Sequence, residues 1–84
     1  GPPDLVVEVL SPSTSGRDRG IKKDAYERSG VRHYWILHPK KHTLTAFVLE
    51  RGRYVTEAEL AAAQTFRPSL FPGLAIPLAK VWRR

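Results

Sequence analysis

Cysteine is absent from the 84 residues, and so is methionine. Without a thiol there is no disulfide staple and no thiolate metal site, a composition that suits a reducing compartment. No apolar run is long enough to cross a bilayer and no secretory leader pattern is visible, so the expectation is a cytoplasmic protein with no membrane partner. The chain opens on Gly-Pro-Pro directly ahead of an aliphatic run, which reads as a fragment, a processed product or a tag remnant. Acidic residues are scarce: 8 Asp and Glu stand against 14 Lys and Arg, a formal charge of +6. That surplus favours a polyanionic partner, nucleic acid first, or else serves only solubility. The hydrophobic fraction of 42% excludes disorder. A chain of this length makes one small domain, residues 1–84, whose limited core brings dimerisation into view.

The aliphatic run comes first. Residues 4–10, Asp-Leu-Val-Val-Glu-Val-Leu, read as a strand. Leu5/Val7/Val9 and Val6/Leu10 are both aliphatic sets, the pattern of a strand covered on both faces. Ser11 to Gly16 breaks it. A helix over about Arg17 to Ser29 follows, with Ser15 and Asp18 as cap candidates and Gly30 as its stop. Ile21, Ala25 and Tyr26 form its expected inward stripe. Residues 31–38 make a second strand rich in aromatic and β-branched side chains. Strand, helix and strand with short links predict a crossover between parallel strands. Thr43 to Glu50 forms a hairpin with that strand, and Arg51-Gly52-Arg53 turns the chain into a fourth strand at Tyr54 to Thr56. Glu57 to Gln64 suits either helix or strand. Phe71 and Trp82, with Leu70, Leu74 and Ile76, are expected to cover the sheet, and Arg83-Arg84 to be exposed.

Glu8 is the anomaly. A carboxylate buried without a partner in an aliphatic strand costs several kcal/mol, so Glu8 must be paired, metal-bound, protonated or open to solvent at a sheet edge. Asp4 falls on the same strand face, and two carboxylates there can bind a hard divalent cation; the plainer reading makes Asp4 a strand-entry residue. Lys22 pairs along the helix with Asp18, at spacing i, i+4, or reaches back over the strand end to Glu8. Arg17, Arg19 and Lys23 stand beside it as phosphate-contact candidates, or as a solvated helix face. His33, His38 and His42 do not make a zinc site by spacing, since His33 and His38 face opposite ways on a strand. Trp35 is a core residue by alternation.

The run "PDLVVEVLSPSTSGRDRGIKKDAYERSGVRHYWILHP" resembles the Uma2 family of restriction-endonuclease-like nucleases. The resemblance rests on the "PDLVVEVLSPS" strand and turn, on Asp18, Lys22 and Tyr26 in the helix, and on Gly30, Val31, Tyr34 and Trp35 entering the next strand. "GRY" at 52–54 and "SLFPGLAIPLAKVW" at 69–82 extend it. It implies an α/β fold: a mixed, mostly antiparallel sheet with one crossover helix, here the C-terminal half of a PD-(D/E)xK core. It implies a Mg²⁺-dependent (or Mn²⁺-dependent) endonuclease acting on DNA. Glu8 would be catalytic residue and metal ligand, Asp4 a secondary metal ligand, and Lys22 the lysine that orients water and stabilises charge. Arg17, Arg19 and Lys23 would contact nucleic acid. Leu10 stands where the motif's lysine usually sits, so the lysine role moves to the helix. A second acid in a "PD" motif is not among these residues, and His38 stands where the family often has an acid. The alternative is a non-enzymatic truncated relative serving as a small dimerising or nucleic-acid-binding module. Either way a homodimer is expected.

Overall fold

Residues 1–83 are described by a computed structural model; Arg84 lies outside the described residues. The chain runs β1 (Leu5–Val9), α1 (Gly16–Ser29), β2 (His33–His38), β3 (Thr43–Glu50), β4 (Arg53–Ala61), β5 (Thr65–Phe66), β6 (Ile76–Pro77) and α2 (Leu78–Trp82). The first four strands form one sheet in the order β1-β2-β3-β4, and β5 and β6 form a small second one. β1 and β2 are parallel and joined through α1; every other pairing is antiparallel. This is the mixed, mostly antiparallel α/β architecture with a crossover helix that the resemblance implies. The β3–β4 turn is tight because Arg51 (φ 53°) and Gly52 (φ 79°) both adopt the left-handed region, as a two-residue hairpin loop requires.

Alternation gives the main sheet two faces. One carries Trp35, Leu44 and Ala46, all buried, with Leu5, Leu37, Ala58 and Leu60 partly buried around them. The C-terminal segment closes this face with Phe66 (1% exposed) and Leu78 (0%). The Phe66 ring meets Trp35 edge-on at 5.0 Å. Two backbone-anchored bonds hold the cover: Leu78 N–H donates to the Gln64 carbonyl at 2.9 Å, and Trp82 Nε1 donates to the Ala62 carbonyl at 2.9 Å.

Several expectations need correcting. β1 is not covered on both faces: it is an edge strand, with Val7 46% and Val9 63% exposed, and on that face only Leu5 packs against the core. Ile21 is exposed at 56%, so the helix does not present an aliphatic stripe inward. Ile76 and Trp82 pack against the core and the Phe71 ring meets Trp35 edge-on at 6.3 Å, as expected, but Phe71 and Leu74 stay partly exposed, and Phe66 and Leu78 are the fully buried part of the cover. The undecided stretch after Thr56 continues as β4 to Ala61, across a bulge at Ala46/Phe47 that accommodates Glu57.

Phe66→Ala removes a fully buried ring packed on Trp35 and lowers stability by about 3–5 kcal/mol. Val9→Ser, at the exposed edge, changes it by less than about 0.5 kcal/mol. Urea unfolding of the two variants checks both values.

Candidate active site

The second sheet face is organised by α1. Ser15 caps the helix, accepting the Asp18 N–H at 3.0 Å, and Gly30 ends it in the left-handed conformation, φ 84°. No α1 residue is fully buried, and its half-buried side chains are, apart from Ala25, polar or aromatic: Arg19, Lys23, Tyr26 and Glu27. Tyr26 packs on Tyr34 with ring centres 5.0 Å apart, and Tyr34 in turn lies beside Phe47 at 6.1 Å and Tyr54 at 6.0 Å. Lys23 Nζ sits 4.3 Å from the centre of the Phe47 ring, a cation–π contact. Glu27 Oε2 accepts the Tyr54 N–H at 2.7 Å, and the Tyr54 hydroxyl donates to the Val31 carbonyl at 2.8 Å. Polar anchors and one aromatic cluster therefore fix the helix in place of an aliphatic ridge.

Glu8 lies on this face, opposite Ile36 in the parallel register. Lys22, fourteen residues on, places Nζ 3.1 Å from Glu8 Oε2. The Tyr34 hydroxyl donates to Glu8 Oε1 at 3.4 Å. The carboxylate thus has a partner on each oxygen and remains 20% exposed, which is how a charged group persists in an aliphatic strand. The pair is the one salt bridge among the described residues. The helix-surface partner for Lys22, Asp18, loses to Glu8.

The hydrogen bond to Glu8, then Glu8's charge, raises the Lys22 pKa above its ordinary value. At neutral pH Lys22 is an ammonium and cannot act as a base. Burial, followed by the Glu8 charge, pushes Tyr34 far above the usual phenol range, so it stays a proton donor. Burial and the neighbouring Glu27 push Tyr54 up to about 12.

The remaining sequence candidates divide. Asp4 is exposed just before β1; its carbonyl accepts the His33 N–H at 3.0 Å and continues the ladder. No group of three or more His, Cys, Asp or Glu side chains gathers to hold a metal among the described residues. Arg17 is exposed, whereas Arg19 and Lys23 lie on the sheet side of α1. His33 is buried, and His42 stacks on Trp82 at 5.2 Å. Tyr34 is the partner that sequence reasoning passed over as packing. The parallel register pairs it with Val6, two residues from Glu8 on one face, and that register was the signal.

Alkaline pH tests this arrangement. Tyr34, Tyr54 and Lys22 all have folded-state pKa values above their unfolded ones, so the folded chain holds more protons than the unfolded chain above about pH 10. The stability they contribute is complete below that pH and is lost as pH rises through the folded values. Urea midpoints are expected to hold between pH 7 and 9 and fall by pH 11. Tyr54→Phe should flatten that fall even though it weakens the protein at pH 7.

No curated protein matches the chain. The family model of Uma2, described as "Putative restriction endonuclease", matches residues 1–79. The expectation of a C-terminal half alone is not borne out by that match. The strand–helix–strand unit that brings Glu8 to Lys22 lies wholly within the matched stretch, and the chain belongs to the Uma2 family.

Proposed function

We propose that the chain is a metal-dependent endonuclease hydrolysing DNA phosphodiester bonds at the Glu8–Lys22 pair. The observation that carries this reading is the position of Lys22, whose ammonium leans from α1 onto the one carboxylate of β1 at 3.1 Å. Restriction-endonuclease-like proteins generally use divalent metals. Mg²⁺ is often bound by one or two carboxylates together with substrate phosphate and water. Glu8 meets the lower limit of that requirement, and Mg²⁺ or Mn²⁺ would bind at Oε1 or Oε2. Such an ion lowers the pKa of its water and neutralises phosphate charge.

This chain's own residues contribute the rest. Glu8 accepts a hydrogen bond from the attacking water and orients it. Lys22, kept protonated, donates to a phosphate oxygen as negative charge builds there. Because Lys22 is about half exposed, its pair with Glu8 is screened by solvent and can yield to an incoming phosphate. Tyr34 holds the other carboxylate oxygen from a fully buried position. Arg17, Arg19 and Lys23 add positive charge along α1 for the nucleic-acid backbone.

A second reading has one observation in its favour. Glu8 already has a cation partner, and no group of three or more candidate metal ligands forms around it among the described residues. That suits a non-enzymatic module that binds nucleic acid or dimerises. For dimerisation, a second copy would add to the open edge of β1, where Val7 and Val9 are exposed.

Mn²⁺ titration separates the readings. The nuclease binds Mn²⁺ at a site lost in Glu8→Ala and nicks supercoiled plasmid, and Lys22→Ala slows nicking about 10²–10³-fold. DNA binding without Mn²⁺ uptake or nicking supports the module instead. Sedimentation at micromolar concentration is expected to give a dimer, and a Val7→Lys/Val9→Lys double variant a monomer.

A further inference from the structure

A cleft of about 400 Å³ opens between the first half of α1 and the sheet, and Glu8 and Lys22 do not line it. Its size falls within the range of small-ligand sites. Its neighbours tie it to the candidate active site: Lys23 follows Lys22 in the helix, and Ile36 is the register partner of Glu8.

The cleft has a cationic wall and an acidic one. Arg19 and Lys23, four residues apart on one helical face, form the first. Neither is in a salt bridge among the described residues, and Arg19 Nε is buried with no hydrogen-bond partner. The far wall carries Glu59 of β4 beside its register partner Thr45 of β3. The helix wall is hollowed by Gly20. A methyl group built there would meet no atom within 4 Å, so packing does not demand glycine at that position. Glycine inside a helix is unfavourable relative to alanine, and what it leaves is space.

Charge of both signs across one cleft rules against a bare backbone site, because Glu59 would repel a second phosphate. It fits a ligand with an anion at one end and hydrogen-bond donors at the other. A nucleotide with an exocyclic amine on its base has that form, and carboxylates accept from such amines. We propose that this cleft takes one unpaired nucleotide of the nucleic-acid substrate, its phosphate on Arg19 and Lys23 and its amine-bearing base, adenine, guanine or cytosine but not thymine, against Glu59 and Thr45. The proposal rests on the nuclease reading for why a nucleic-acid strand is present, but its binding chemistry does not involve Glu8.

The test is an amide-resolved NMR titration of the full chain, without metal, with dGMP, dCMP, dTMP and inorganic phosphate. The expected result is saturable binding of dGMP and dCMP, with shifts at Gly20, Thr45 and Glu59 and affinity about tenfold above dTMP and phosphate. Glu59→Gln should reduce that preference to within about twofold, and Gly20→Leu should abolish binding while Gly20→Ala retains it and raises the Tm. Equal affinity for all four ligands, no saturable binding, or binding indifferent to Gly20→Leu overturns the proposal. The Glu8→Ala variant keeps the two readings apart: it should bind dGMP as the parent does whether or not the parent cleaves DNA.

Discussion

A carboxylate on an edge strand, held from two sides, is the constraint around which this molecule is arranged. Glu8 needs a cation and a donor, and each comes from a different element. Lys22 reaches it from α1 and Tyr34 from the neighbouring strand β2. For both to arrive, β1 and β2 must run parallel and α1 must lie over the face that carries Glu8. The crossover connection supplies that geometry, with Ser15 and Gly30 setting the two ends of the helix. A shift of one residue in the β1–β2 register would turn Glu8 to the opposite face, where Trp35 and the C-terminal cover sit.

The same constraint explains the unusual character of the helix–sheet contact. An aliphatic ridge would pack α1 more tightly but would leave no place for charged groups beside Glu8. Instead the contact is made by tyrosines, a lysine over Phe47 and a glutamate bound to the Tyr54 backbone. Stability is drawn mainly from the other face, where Phe66 and Leu78 close over Trp35, Leu44 and Ala46. One face of a single sheet thus carries the apolar core, and the other carries ionisable chemistry and an open polar cleft.

The legibility of the sequence followed the range of each interaction. The ends of α1, the extent of β3 and the turn at Arg51-Gly52 were readable, because caps and turns depend on neighbours within a few residues. The charge anomaly at Glu8 and the two possible partners of Lys22, Asp18 and Glu8, were readable too, as a question with named answers. Which exposed face Val7, Val9 and Ile21 would occupy was not. Their type calls for burial, but burial depends on what other segments cover them. The ranking of Phe71 and Phe66 has the same origin: both rings meet Trp35, at 6.3 and 5.0 Å, and the pairing of β5 with β6 decides that Phe66 is the one fully buried.

The amino-acid order alone determined the strand–helix–strand unit, the helix caps, the basic surplus and the family likeness, since these are properties of local pattern and composition. Tertiary structure decided that Lys22 chooses Glu8 over Asp18 and that Arg19 and Lys23 face Glu59 across a cleft. Those outcomes depend on distances between residues far apart in the chain. They are set by strand register and helix placement, which no single segment specifies by itself.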